Sequence, residues 1–131
     1  GLIDASNGTV WLTAAGGPPP LIARRSGQIQ RIEMAGLPLG VLEGAAYSVH
    51  SLRLGRGDAM LLFSDGAFEI HNAAGEILGV DGLIGLLQEM GYPRAPLSMP
   101  ALEERLLKFS NAIRMPDDTT IVEARFIGAD P

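Results

Sequence analysis

The sequence predicts an α+β domain. Its first half sets short apolar runs between glycine- and proline-bearing turns, which is the texture of β-hairpins. Past Gly66 the apolar residues change from a strand-like period to a helical one, and near the C-terminus they change back. With 131 residues, 47% hydrophobic and 19% charged, the chain can bury one real core and is too apolar for a disordered tail.

Residues 2–4 read as the end of a strand. Asn7-Gly8 is a hairpin turn, because both residues tolerate positive φ. Residues 9–15 return as a strand that carries the only tryptophan, Trp11. Gly16-Gly17-Pro18-Pro19-Pro20 ends that ladder, since proline has no N–H to donate. Residues 21–25 and 28–33 pair about the turn Ser26-Gly27, and residues 35–40 form a loop. Residues 47–54 form a further strand, and residues 55–58 a turn. Residues 59–64 are so uniformly apolar that burial on both faces is expected.

Leu83, Leu86, Leu87 and Met90 then recur at helical spacing, ending near Gly91 and Pro93. Leu102, Leu106, Phe109 and Ile113 make a second helical stripe, with Ser98 as its N-cap and Pro116 beyond its end. Both stripes read as core. Residues 119–126 alternate as a final strand. The chain contains no internal repeat and no linker, so it reads as one domain or part of one.

Composition excludes several functions. Ten basic against fifteen acidic side chains give a net charge of −5 with no basic cluster, a poor fit to nucleic acid. No apolar run approaches the length of a membrane span, so no membrane partner is expected. Without cysteine there is neither a disulfide framework nor a thiolate metal site, and a cytoplasmic location is the default. A metal would have to be held by oxygen or by the two histidines, yet neither His50 nor His71 has a further ligand at metal-binding spacing. The pairs Arg24-Arg25 and Arg53/Arg56 are expected to be solvated.

Two acidic positions stand out. Asp65 leaves the apolar strand at Leu61-Leu62-Phe63-Ser64 and is followed by Gly66, which allows close approach of the backbone to a ligand. Asp117-Asp118 sets two carboxylates side by side before the last strand, where a cation would relieve their repulsion. Two carboxylates plus waters suit a hard cation such as Mg²⁺ or Mn²⁺ if their strands are neighbours. Taken alone, each is read more readily as an ordinary polar turn or solvated loop.

Read in order, the segments are more specific. The loop Ala15-Gly16-Gly17-Pro18-Pro19-Pro20-Leu21 resembles the Asn-Ala-Gly-His-Pro-Pro-Pro loop of the SpoIIE/RsbU branch of PPM-type (protein phosphatase 2C-like) serine/threonine phosphatases. Gly36-Leu37-Pro38-Leu39-Gly40 is similar to that branch's next loop. Gly57-Asp58 followed by Leu61-Leu62-Phe63-Ser64-Asp65-Gly66 resembles its Gly-Asp…Leu-Leu-Tyr-Thr-Asp-Gly strand. Glu69, Asn72, Gly75-Glu76 and Gly79 fall where the branch has Glu, Asn, Gly-Glu and Gly. Asp117-Asp118-Thr119-Thr120 resembles its closing Asp-Asp-Ile-Thr.

The resemblance implies an α-β-β-α sandwich, two antiparallel sheets flanked by helices, with a binuclear Mn²⁺ or Mg²⁺ centre at one end. It implies a metal-bridging hydroxide that attacks the phosphorus of a phosphoserine or phosphothreonine. It matches Asp65 and Asp117 to catalytic carboxylates on the second metal, with Asp118 a lesser metal candidate. Gly16, Gly17 and Gly66 are matched to backbone near the substrate. The resemblance also implies a phosphoprotein substrate of the anti-sigma-factor-antagonist type and a sensor or receiver domain upstream on the same chain.

Residues 1–131 are thus expected to be the C-terminal part of one phosphatase domain, inactive alone. The family's Gly-Asp-x-x-Gly-His-Gly-type segment, which supplies the bridging aspartate, is not among them. A raw strand edge at residues 2–4 invites pairing, so Gly1 is not expected to be a natural domain boundary; separately, a dimer is one further expectation. Ala14, Gly17 and Phe68 stand where the family has Asn, His and Thr. These departures motivate the alternative of a decayed phosphatase serving as a binding or oligomerisation module.

Overall fold

A computed structural model describes residues 1–128; residues 129–131, the last three of the expected domain, lie outside it. Seven strands and two helices follow one another as β1 (Leu2–Asp4), β2 (Thr9–Leu12), β3 (Leu21–Ala23), β4 (Ile29–Arg31), β5 (His50–Arg53), β6 (Ala59–Phe63), α1 (Gly79–Glu89), α2 (Met99–Ser110) and β7 (Ile121–Arg125). A single 3₁₀ turn, Asp65–Ala67, follows β6. All strand pairs are antiparallel. They make a three-stranded sheet ordered β1-β2-β5 and a four-stranded sheet ordered β4-β3-β6-β7.

The two-residue period of the strands sorts side chains into two cores. Leu21, Ala23, Ala59, Leu61 and Phe63 face the helices and pack on Leu83, Leu87, Leu102 and Leu106. Ile22 and Met60, from alternate positions of β3 and β6, face the other way and meet Val10 and Leu12 of β2, closed by Leu54 and Phe126. The sandwich is therefore helix layer, four-stranded sheet, three-stranded sheet. Among the described residues no helix covers the outer face of the three-stranded sheet, where Leu2 and Trp11 are exposed.

The hairpin turns fall where the sequence puts them. Ser98 caps α2, its Oγ accepting from the Ala101 N–H at 3.3 Å. Asn111, at φ 52°, ends that helix in the left-handed conformation. Ile113, expected on the apolar stripe of α2, thus lies beyond the helix and is fully exposed. Most strands are shorter than expected: residues 13–15, 24–25, 28, 32–33, 47–49, 54, 64, 119–120 and 126 lie outside the ladders. Strand β6 is not buried on both faces throughout. Leu62, on the Met60 face, runs past the cover of the smaller sheet and is 42% exposed, as is its cross-strand partner Val122 at 51%.

The arginine pairs are not all simply solvated. Asp58, 8% exposed, accepts from the Arg25 backbone N–H at 2.8 Å, from the Gly55 N–H at 3.0 Å and from Arg24 Nη1 at 2.8 Å. Arg24 also donates to the Arg53 carbonyl at 2.7 Å, and Arg53 Nε donates to that of Asn7 at 3.1 Å. The Gly57-Asp58 motif is thus a knot that joins the β3–β4 hairpin to the turn before β6. On the helical side, the Tyr92 hydroxyl donates to Glu123 at 3.0 Å and Arg125 lies 5.6 Å from its ring centroid, which ties the end of α1 to β7.

Burial raises the Asp58 pKa, but the three hydrogen bonds and the Arg24 charge outweigh it and hold the carboxyl below its ordinary range. With the folded pKa depressed, its stabilisation is complete above the unfolded value of about 3.9 and is lost as pH falls through the folded one. Asp58→Ala is expected to cost about 2–4 kcal/mol in urea unfolding at neutral pH. The deficit relative to wild type should begin to shrink below about pH 4, where the unfolded chain takes up the proton, and shrink further as pH falls to the depressed folded value.

Candidate active site

Among the described residues the pairing of β6 with β7 is the longest, and it runs in register from Ala59↔Arg125 to Phe63↔Ile121. It continues one step past the ladder, where the Ser64 N–H donates to the Thr120 carbonyl at 3.0 Å. Beyond that point both chains turn: one into Asp65–Ala67, the other backwards into Asp118 and Asp117. Two acidic segments from opposite sides of the helical region thereby arrive at the same end of the larger sheet.

Gly66 shows how close they come. A Cβ on Gly66 would lie 2.3 Å from the Asp118 carbonyl oxygen and 2.9 Å from Thr119 Oγ1, so only glycine admits the approach. Asp65, Asp117 and Asp118 are all exposed at this end. Asp65 Oδ1 accepts from the Gly66 N–H at 2.9 Å, and Asp117 Oδ1 accepts from the Asp118 N–H at 2.7 Å. Among the described residues none of the three carboxylates is in an ion pair. Unlike the Asp58 carboxylate, they hold no other element in place.

The proline loop reaches the same place. Gly16, Gly17 and Pro18 line an open cleft of about 450 Å³ with Ser64, Asp65, Phe68 and Glu69. That loop rests on the loop before β5: a Cβ on Gly36 would lie 2.0 Å from the Ala14 carbonyl oxygen and one on Gly16 would lie 2.6 Å from Pro38 Cγ, which explains why both loops carry glycine. On the other side, Asp117 and Asp118 border a groove of about 770 Å³ between the start of α2 and the Met115-Pro116 segment.

Phe68, where the family pattern has Thr, stacks edge-on against Phe63 with centroids 5.7 Å apart and serves the helical core. Asn72 shapes a turn, its Oδ1 accepting from the Ala74 and Glu76 N–H groups at 2.9 Å. The hydroxyls of Ser64 and Thr119 cross between the acidic turns, a role that the sequence alone does not mark. Their one signal is position: each flanks an acidic residue at the end of a strand. The histidines take no part in the acidic end of the sheet; His50 is on β5, and His71 forms an isolated bridge with Ile77.

Unpaired, exposed carboxylate oxygens on converging backbone segments are donors of the kind a hard divalent cation takes, so the set fits such an ion in kind. It is short in number, because among the described residues no three His, Cys, Asp or Glu side chains converge.

The sequence model of the Stage II sporulation protein E (SpoIIE) family matches residues 1–127. The chain belongs to the SpoIIE family. Its fold is that of the PP2C-type phosphatase domains, here as a partial domain. The RsbU and RsbW domains of Rv1364c from Mycobacterium tuberculosis superimpose with a TM-score of 0.72 at 24% identity, over 98% of this chain and 35% of that one. The Mn-presoaked phosphatase domain of the cell fate determinant SpoIIE from Bacillus subtilis gives 0.69 at 20% identity, over 99% and 56%. The SiaA-PP2C domain of Pseudomonas aeruginosa gives 0.65 at 24%, over 88% and 46%. In sequence, the chain is 23% identical to Protein IcfG of Synechocystis sp. over 125 residues, which is 95% of this chain and 20% of that protein. The chain thus spans about a fifth of its curated relative and roughly a third to a half of these solved SpoIIE-like chains.

Gly66→Ala is expected to destabilise the protein by about 1–3 kcal/mol, the usual cost of overpacking, because its methyl group meets backbone that cannot step aside. Thermal unfolding checks this. Gly17→Ala, with no atom within 4 Å of its Cβ position, should leave the midpoint unchanged.

Proposed function

We propose that these residues are the C-terminal part of a SpoIIE-type, metal-dependent protein serine/threonine phosphatase domain. The observation that supports this most is the meeting of the Asp65 turn and the Asp117-Asp118 loop at the end of β6 and β7, in a chain of this family. In the proposal Asp65 and Asp117 are the catalytic, metal-holding carboxylates, with Asp118 beside them. The ion is Mn²⁺ or Mg²⁺, one of a pair in the complete domain. When bound, such an ion supplies Lewis-acid stabilisation of phosphoryl oxygens and acidifies water.

This chain's own residues do the rest. Asp65 and Asp117 present hard oxygen donors. The cleft between Asp65 and Gly16-Gly17-Pro18 gives a phosphorylated side chain a place beside the Asp65 donor, with glycine backbone along one wall. The substrate class is phosphoserine on a regulatory protein, of the anti-sigma-factor-antagonist type; the domain works downstream of a sensor or receiver domain on the same chain, in the cytoplasm. No described helix is long and apolar enough to cross a membrane. Since the residues present give only part of a metal shell, residues 1–131 alone are inactive in this reading.

A second reading, a decayed phosphatase acting as a binding or oligomerisation module, has one observation in its favour: the loop facing Asp65 carries Gly17 where the family has His.

The full-length protein should hydrolyse a phosphoserine peptide with Mn²⁺, and Asp65→Asn or Asp117→Asn should each lower kcat at least about a hundredfold, as expected for loss of a two-metal centre's ligand. Full activity of the double variant would refute the phosphatase reading. Absence of both turnover and Mn²⁺ binding in wild type would favour the module.

A further inference from the structure

The acidic turns face a physical difficulty. Two carboxylate-bearing segments brought together repel, and neither Asp65 nor Asp117 spends a bond on holding the other's segment. Something uncharged has to hold them, and the regular ladder has already ended at Phe63↔Ile121.

Two hydroxyls span the gap. Ser64 Oγ accepts from the Thr120 backbone N–H at 2.9 Å and donates to the Asp118 carbonyl at 3.2 Å, so one side chain fastens both ends of the Asp118–Thr120 backbone. Thr119 Oγ1 reaches the other way and donates to the Gly66 carbonyl at 3.0 Å, with the Asp117 carbonyl also in range at 3.1 Å. Gly66 and Thr119 are 53 positions apart in the chain, so this contact bridges the whole helical segment. The bonds are reciprocal. The serine before the first aspartate holds the second acidic loop, and the threonine after the second acidic pair holds the first turn. All engage backbone, leaving the carboxylates out of the fastening.

We infer that Ser64 and Thr119 are positioning residues, a two-hydroxyl clasp that sets the separation of the Asp65 and Asp117-Asp118 segments through backbone hydrogen bonds. This rests on the phosphatase reading for what the carboxylates hold. Hydrogen-bonded supports behind metal ligands typically change metal affinity 10–100-fold when removed, and a clasp of this kind belongs to that class.

The test uses the full-length protein, with Mn²⁺ alone as the probe. Mn²⁺ affinity is read by calorimetry, and amide hydrogen exchange is followed across residues 117–120. Ser64→Ala and Thr119→Val should each weaken Mn²⁺ binding by roughly 10–100-fold and speed exchange in that segment. Exchange in β3 and α2 should stay as in wild type. The conservative variants Ser64→Thr and Thr119→Ser keep the hydroxyl and should restore both readouts. Affinity within twofold of wild type for both hydroxyl-less variants would overturn the clasp, as would weaker binding with unchanged exchange at residues 117–120. Asp65→Asn separates the two levels of the argument. If wild type binds Mn²⁺, Asp65→Asn does not and the hydroxyl-less variants bind normally, the clasp alone fails. If wild type binds no Mn²⁺, the phosphatase reading falls and takes the clasp with it.

Discussion

The constraint on which this structure depends is the antiparallel pairing of β6 with β7. Everything between those strands, including both helices, is one long excursion from the sheet, and the pairing requires its two ends to meet. Because β6 is interior to the sheet, with β3 on its other side, its register is fixed from both edges. A slip of one residue would turn Leu61 and Phe63 away from the helices and Met60 out of the second core. The burial of apolar side chains on both sides therefore determines where the acidic ends arrive. The core, not the carboxylates, assembles the site.

The molecule separates its acidic groups by task. Asp58 is buried and fully engaged, and it anchors a turn through two backbone amides and Arg24. Asp65 and Asp117 are exposed, bond only to the amide that follows each of them, and have no cation partner among the described residues. A protein that needed those carboxylates for stability would have paired them. Asp65 is left unpaired at a glycine-lined cleft and Asp117 at the neighbouring groove, which is what the proposed metal-holding role would require.

Much of this was legible in the sequence because its causes are local. Asn7-Gly8 and Ser26-Gly27 make their turns by backbone preference, Ser98 caps a helix by direct contact with it, and the leucine stripes state which helix face is buried. The misreadings share a different cause: each depended on what lies across space. Leu62 is as apolar as Leu61, yet the smaller sheet ends before covering it. Ile113 continues the stripe of α2 in register, but Asn111 has already turned the chain away. Arg24 looked like a surface charge until Asp58, 34 residues on, came beside it. The hydroxyls of Ser64 and Thr119 are the clearest example, since each has meaning only once the other's segment is in place. Family resemblance supplied what periodicity could not, namely that the Asp65 and Asp117-Asp118 segments converge at one end of the sheet.

A crystal structure of the full-length protein grown with Mn²⁺ tests the central claim most directly. The account predicts a metal ion at the end of β6 and β7 with carboxylate oxygens of both Asp65 and Asp117 within about 2.6 Å of it or joined to it by one water. Mn²⁺ bound elsewhere, with these two side chains turned to separate faces of the domain, would contradict it.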